Sequence, residues 1–396
     1  MSGRALVFAA CLLSSALLAQ PESTPETQGV DSEDLVRLVH YIDGQAKGLD
    51  SLVMIRHGHV IFEVYYEPYG RDEVHILNSV TKSFVSALIG IAIDKGYLPN
   101  DENKLADWFP KAAADRKAAI DIRHLLTMTS GIDWPQYGRN NVSRQMDESP
   151  NWVQFILNRP MAHDPGTQSN YSNGDAHLLS AVLQRATGES ALEFGWKHLF
   201  QPLGIPKPRW DHDPQGINIG SATIYMTPRD MAKLGMLYMH HGAWQGTQIV
   251  PEVWVRKSLK RNTSIEISAG QADYGYYWWL YPALGMSEAW GGAGQRIAVF
   301  ENLDLVTVMT GDISDDAPVT SFSSEIYNRI LRAVKDSSSL AENAPALAEL
   351  RRLLAGPARS RPKRSFWDAN GSLPVAVAAL VAAVAGTLWW RARSAA

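Results

Sequence analysis

The run Asn78-Ser79-Val80-Thr81-Lys82-Ser83 opens an apolar stretch, Phe84-Val85-Ser86-Ala87-Leu88-Ile89-Gly90-Ile91-Ala92-Ile93, that stops at Asp94-Lys95-Gly96. A segment apolar nearly all round predicts one buried helix, with Lys95 in its last turn and Gly96 placed for a left-handed C-terminal cap. Ser79 and Lys82 then share the first turn on one face, so the amine reaches the hydroxyl. A serine hydroxyl is a poor nucleophile until a neighbour takes its proton, and a lysine does so only if its pKa falls well below about 10.4. A desolvated site beside the positive end of a helix pushes it that way. Ser360-Arg361-Pro362-Lys363 has the same spacing in a Pro- and Arg-rich stretch with no apolar helix to fix its geometry, so spacing alone does not make the pair.

Working outward, the chain carries 37 basic and 41 acidic side chains for a net charge of −4, which gives no reason to expect a nucleic-acid partner. Thirteen tryptophans favour a chain with aromatic-lined pockets over a plain scaffold. Cys11 is the only cysteine, so a chain that has lost its first residues can form no internal disulfide and depends on core burial.

Residues 1–19 read as a secretory signal peptide: Met1-Ser2-Gly3-Arg4, the apolar stretch Ala5 to Ala19, then a polar leader over 20–31. Cleavage is expected near Ala19; Phe8-Ala9-Ala10-Cys11 only loosely imitates a lipoprotein site. At the far end, Leu373 to Trp390 runs without a charge and is followed by Arg391-Ala392-Arg393. At about 1.5 Å per residue it nearly spans a hydrocarbon core of roughly 30 Å, and it reads as a transmembrane anchor with a short tail over 391–396. The alternative is an Ala-rich helix packed on protein. The expected location is therefore outside the cytoplasmic membrane, tethered through the C-terminal helix. Residues 336–372, rich in Ser, Ala, Arg and Pro with a short helical stretch near Ala346 to Leu354, read as a tether.

Between these ends, 32–335 reads as the folded body. Ser51 to Arg56 and Val60 to Tyr66 form a hairpin turning at His57-Gly58-His59. Helical spacing dominates the middle (Trp152 to Leu157, Ala176 to Thr187, Ala191 to Leu199, Pro228 to His240, Pro251 to Leu259). Strand signals return at Tyr274 to Tyr281, Glu288 to Phe300 and Leu303 to Thr310, and an amphipathic helix closes at Ser321 to Val334. Strands at both ends with helices inserted predict an α+β fold: an antiparallel sheet from N- and C-terminal strands, flanked by helices, beside a mostly helical subdomain. The site belongs in the cleft between the two.

Tyr171-Ser172-Asn173 lies in a loop just ahead of a helix. A phenol beside a lysine ammonium gives up its proton more readily and relays protons between nucleophile and leaving group, and Asn173 can hydrogen-bond a substrate carbonyl or amide. Ser79-x-x-Lys82, Tyr171-x-Asn173 and the late-strand Trp290-Gly291-Gly292 together resemble the serine β-lactamase and penicillin-binding-protein superfamily. The likeness is to its class C-like, esterase and 6-aminohexanoate-dimer hydrolase branch; the related class A set has Ser-Asp-Asn and Lys-Thr-Gly at the second and third places. Ile122 to Gly131, Met226 to Val255 and Gly294-Gln295-Arg296-Ile297 are similar to recurrent segments of that branch, and the likeness covers roughly residues 35–335.

The resemblance implies that Ser79 attacks an ester or amide carbonyl, that Lys82 and Tyr171 move protons, and that water hydrolyses an acyl-enzyme on Ser79. The oxyanion would be held by N–H groups at Ser79 and Ala293, and no metal or cofactor is required. The usual cation of the third motif is replaced by Trp290, or by Gly292 in a shifted register. Trp290 with Tyr276, Tyr277, Trp278 and Trp279 would instead wall an apolar pocket, which favours a small ester or linear amide over a β-lactam or D-peptide substrate. A non-catalytic binding or sensor domain on the same fold is the alternative from another class, and the complete Ser79/Lys82/Tyr171 set speaks against it; a covalent sensor that acylates without turnover would keep all three residues.

Overall fold

The computed structural model describes residues 20–355 apart from 47, 137–140, 268–269 and 313–318, together with residue 359. The first helix, α1, spans Ser32–Gln45 and is capped by Asp31, whose side chain accepts from the Glu33 and Asp34 N–H groups. The hairpin follows as β1 (Leu49–Arg56) and β2 (His59–Tyr65), with His57 and Gly58 both at positive φ in the two-residue turn. The next long helix, α2 (Val80–Asp94), buries every side chain from Val80 to Ala92, and Gly96 beyond it has φ 76°.

The inserted subdomain contains α3 (Asn173–Thr187), and α4 (Pro228–Met239) leads the chain back to the sheet. The remaining strands of the large sheet are β3 (Thr263–Ile267), β4 (Gly270–Tyr274), β5 (Trp279–Tyr281), β6 (Met286–Gly291), β7 (Gln295–Phe300) and β8 (Leu305–Gly311). They complete an eight-stranded sheet in the order β2-β1-β8-β7-β6-β5-β4-β3, each pairing antiparallel. The sheet is thus built from both ends of the chain, as the strand signals predict.

Alternation along the strands sorts the core into two layers. Val53, Ile55, Ile297, Val299, Val306 and Val308 pack with α2 and α4, while Leu52, Met54, Ala298, Phe300, Leu305 and Met309 pack with α1, α5 (Val319–Ala333) and α6 (Ala344–Leu354).

Three expectations change. The stretch Tyr274 to Tyr281 is two strands, because Tyr277 at φ 64° turns the chain and the Gly275 N–H donates to the Trp278 carbonyl at 2.8 Å. The stretch Glu288 to Phe300 is likewise the hairpin β6–β7, turning at Gly292–Gly294 with Ala293 at φ 61°. The described part of 336–372 is docked, not a free tether. Leu347, Leu350 and Leu353 recur every three residues and bury against the α1 layer, each contributing roughly 1.5–3 kcal/mol. The Arg359 N–H donates to the Tyr65 carbonyl at 2.9 Å, and its guanidinium holds Asp43. The expected signal peptide and the Leu373 to Trp390 span lie outside the described residues, and no described helix is long and apolar enough to cross a membrane.

Candidate active site

Ser79 is the N-cap residue of α2, preceded by Asn78 at φ 46°, a left-handed conformation that asparagine tolerates. Lys82 is 1 % exposed, and its Nζ lies 2.8 Å from Ser79 Oγ, 2.9 Å from Asn173 Oδ1 and 3.1 Å from the Ser221 carbonyl. Burial drives its pKa well below the usual lysine range. A neutral amine carries two hydrogens and one lone pair. The Asn173 and Ser221 oxygens only accept and take both hydrogens, so the lone pair is left for the Ser79 hydroxyl proton. An uncharged amine held this way would have its lone pair directed at Ser79 Oγ.

Asn173 is not in the loop where the sequence puts it; it is the first residue of α3. The helix begins early because the Ser172 hydroxyl accepts from the Asp175 N–H at 3.0 Å and caps it. The turn is held from the outside as well: Gln136 Oε1 accepts from the Asn173 N–H at 3.1 Å, and the Asn170 N–H donates to the Met128 carbonyl at 2.8 Å. The Ile122 to Gly131 segment therefore serves as a shelf for the second motif. Tyr171 stands beside the amine, with Lys82 Nζ 4.9 Å from its ring centroid.

The third motif meets the nucleophile from the sheet side. Asn78 Nδ2 donates to the Gly292 carbonyl at 2.9 Å. Gly291 lies so close that a Cβ there would stand 2.4 Å from the Leu77 carbonyl oxygen and 3.1 Å from the Ser79 nitrogen. The end of β6 is thus flush with the turn that carries Ser79, and Ala293 follows two residues later. Gly291→Ala must push strand and turn apart, and a shift of about 1 Å at a nucleophile can lower kcat by about 10²-fold. Steady-state kinetics on this variant, with its thermal unfolding unchanged, checks that expectation.

A beta-lactamase family model matches residues 39–316. The chain belongs to the Beta-lactamase family. A 6-aminohexanoate-dimer hydrolase from Paenarthrobacter ureafaciens is 23 % identical over 225 residues, covering 53 % of this chain and 57 % of its own. Esterase EstB of Burkholderia gladioli is 27 % identical over 176 residues, covering 39 % and 44 %. The chain thus spans about half the length of these curated relatives. A solved structure of a putative 6-aminohexanoate-dimer hydrolase from Bacillus anthracis shares the fold at TM-score 0.68 and 19 % identity, covering 79 % of this chain and 87 % of the other. A family VIII carboxylesterase does so at TM-score 0.62 and 15 % identity, covering 79 % and 99 %.

Within this Beta-lactamase-family chain the third motif has its own electrostatics. Trp290 pairs across the hairpin with Arg296, whose guanidinium carbon lies 5.1 Å from the Trp290 ring centroid. Arg296 donates to both oxygens of the buried Glu288, at 2.8 and 2.7 Å, and Tyr327 of α5 donates to the same carboxylate at 2.5 Å. Burial opposes the Arg296 charge and Glu288 outweighs it, so its pKa is raised. The cation beside this motif is thus neutralised and covered by an indole.

The aromatic run divides. Trp279 packs between Tyr171, at a centroid distance of 6.0 Å, and Trp290, at 5.2 Å. Tyr276 instead bonds Asp101 at 2.7 Å, and Trp278 packs on Tyr238 at 4.4 Å, so neither belongs to the wall expected of them. Tyr277 is buried in the turn below, where its carbonyl accepts from Ser83 Oγ at 2.7 Å.

Sequence reading missed Ser221, which acts through its carbonyl, so its side-chain type carries no signal. Asn78 was within reach, since an asparagine directly before the nucleophile is a residue suited to positive φ.

Proposed function

We propose that this protein is an exported, membrane-anchored serine hydrolase that cleaves a small uncharged ester or amide through an acyl-enzyme on Ser79. The observation that carries this reading is the buried Lys82 amine, whose pKa burial lowers well below the usual lysine range and whose Nζ lies 2.8 Å from Ser79 Oγ with the Asn173 and Ser221 oxygens as its other partners.

Ser79 Oγ attacks the substrate carbonyl carbon as its proton passes to Lys82 Nζ, and the carbonyl oxygen becomes an oxyanion held by the Ser79 and Ala293 N–H groups. Donors of this kind are worth about 10²–10³ in rate each. While Lys82 is neutral there is no standing cation beside Tyr171. The phenol's help therefore belongs to the next step, when Lys82 is an ammonium and a proton must reach the leaving oxygen or nitrogen. The carbon–heteroatom bond then breaks and the acyl group stays on Ser79. Water adds to the acyl carbon, giving one proton to Lys82 or Tyr171, and the acid departs as Ser79 regains its hydrogen.

Trp279 and Trp290 wall the site beside Tyr171, and Arg296 behind them is paired with Glu288, so among the described residues the third motif offers no free positive charge to a substrate carboxylate. An esterase or linear amidase is favoured on that ground, and the names of the 6-aminohexanoate-dimer hydrolase and EstB relatives agree with it. The apolar 5–19 and 373–390 stretches support export and anchoring.

The test uses the full chain in mild detergent with a chromogenic short-chain ester, a linear amide and a chromogenic cephalosporin, and intact-mass detection of adducts. Ester or amide turnover lost in Ser79→Ala supports the reading. Cephalosporin turnover would favour a β-lactamase, and an adduct without turnover a covalent sensor. Recovery of the chain in the soluble fraction after cell lysis would sink the anchor.

A further inference from the structure

Asp175 stands in the first turn of α3, two residues beyond Asn173, and is fully buried. Its Oδ1 accepts from Ser130 Oγ at 2.8 Å, and its backbone N–H donates to Ser172 Oγ at 3.0 Å. Among the described residues Oδ2 has no hydrogen-bond partner, and the buried Tyr277 hydroxyl has none either. The turn that presents Asn173 to Lys82 is thus built over a carboxyl with one oxygen left over.

A neutral carboxyl is tolerable in such a place. A carboxylate is not, because its charge would sit on an oxygen that nothing solvates. Burial pushes the Asp175 pKa up to about 7, and hydrogen bonds from Ser130 and Ser172 pull the other way. The groups around it are few. The 122–131 segment supplies Ser130, and the 275–278 turn supplies Tyr277, whose own pKa is raised well above the usual range by burial first and then by Asp175. α2 supplies Lys82, reached through Asn173, while His177 on α3 is engaged by Asp213 at 3.1 Å.

We propose that Asp175 is a positioning residue: in its neutral form it locks the Ser172–Asp175 turn that holds Asn173 on Lys82, and its ionisation loosens that turn and turns acyl transfer down on the alkaline side. Water can reach Oδ2 only if the turn opens, and opening it draws Asn173 Oδ1 from the Lys82 amine. One of the two acceptors that orient the lone pair toward Ser79 is then lost. This inference rests on the hydrolase reading above.

The experiment follows the rate of Ser79 labelling by a fluorophosphonate probe, and of ester turnover, from pH 5.5 to 9 in the full chain. The native protein is expected to fall about tenfold across the Asp175 ionisation, the penalty of one unpartnered buried group. Asp175→Asn keeps an acceptor for Ser130 and cannot ionise, so its profile lacks the alkaline fall and keeps only the acid-side loss set by Lys82.

Thermal unfolding gives a readout independent of turnover. A folded pKa raised above the unfolded value of about 3.9 means native stability is lost as pH rises from there to about 7. Asp175→Asn should therefore gain on the native chain through that window and no further above it.

Ser130→Ala removes a donor that favours the charged form, and should move the alkaline fall upward by about one pH unit. It serves as the second variant if Asp175→Asn does not fold. The same alkaline fall in Asp175→Asn as in the native protein, or an unmoved fall in Ser130→Ala, overturns the proposal while leaving the hydrolase intact. No labelling of Ser79 in any form at any pH overturns both.

Discussion

Replacing Lys82 with methionine is expected to lower kcat/KM by about 10³–10⁴-fold, to nearly the level of Ser79→Ala, with the fold retained. The volume is kept, so the loss reports the amine. Nucleophile and base act as one unit, so the Ser79→Ala/Lys82→Met double variant should be little worse than either single one. The native pH profile should fall on the acid side as Lys82 gains a proton, at a pH below the ordinary lysine value because burial depresses it.

The stability linkage has a definite sign. Between the depressed folded pKa and the unfolded value of about 10.4, the unfolded chain binds the extra proton, so native stability rises with pH through that window. The native protein should therefore gain on Lys82→Met as pH is raised toward 10. Unfolding curves at several pH values check this, and a constant gap between the two proteins would mean that Lys82 is charged in the fold and is not the base.

The largest effect on stability is expected from Arg296→Met. Among the described residues it leaves the wholly buried Glu288 with only the Tyr327 hydroxyl as a partner, and breaking one side of a buried ion pair typically costs about 3–5 kcal/mol. In a chain of this size that is roughly 10 °C in Tm. Removing both charges is a different case, since two desolvation penalties disappear together. Glu288→Leu with Arg296→Met should recover most of the loss, and adding Tyr327→Phe should recover more by removing the stranded hydroxyl. Calorimetry on the four proteins checks the series, and a single variant within about 1 kcal/mol of native would show that water reaches the pair. Trp290 packs on Arg296, so the single variant should also raise KM for a substrate that touches the indole, while the double variant keeps a level floor under it.

Local pattern carried much of the architecture. The apolar run after Ser79 allows little but a buried helix, and its three-residue spacing puts Lys82 beside Ser79 whatever the rest of the chain does. Continuous apolar runs in Ser51 to Arg56 and Leu305 to Thr310 likewise announce strands packed on both faces, and turn residues at His57-Gly58 close the hairpin. Leu347, Leu350 and Leu353 carried the same kind of signal, hidden among alanines and arginines.

Pattern says nothing about what meets across long separations. Lys82 is placed to act as a base because Asn173 and Ser221, 91 and 139 residues away, bond its buried amine. Trp279 faces the site and Trp278 the core because successive residues on the extended chain leaving the Tyr277 turn point to opposite sides. The missing cation of the third motif is present as Arg296, but Glu288 and Tyr327 neutralise and bury it from the far side of the sheet. The sequence by itself determined the helix, its Ser-Lys pair and the strand set, because each depends on neighbours within a few residues. Only the tertiary structure decided the burial that lowers the Lys82 pKa, the pairing of Arg296 with Glu288 at the third motif and the burial of Asp175, because desolvation and ion pairing depend on which distant segments close over a group.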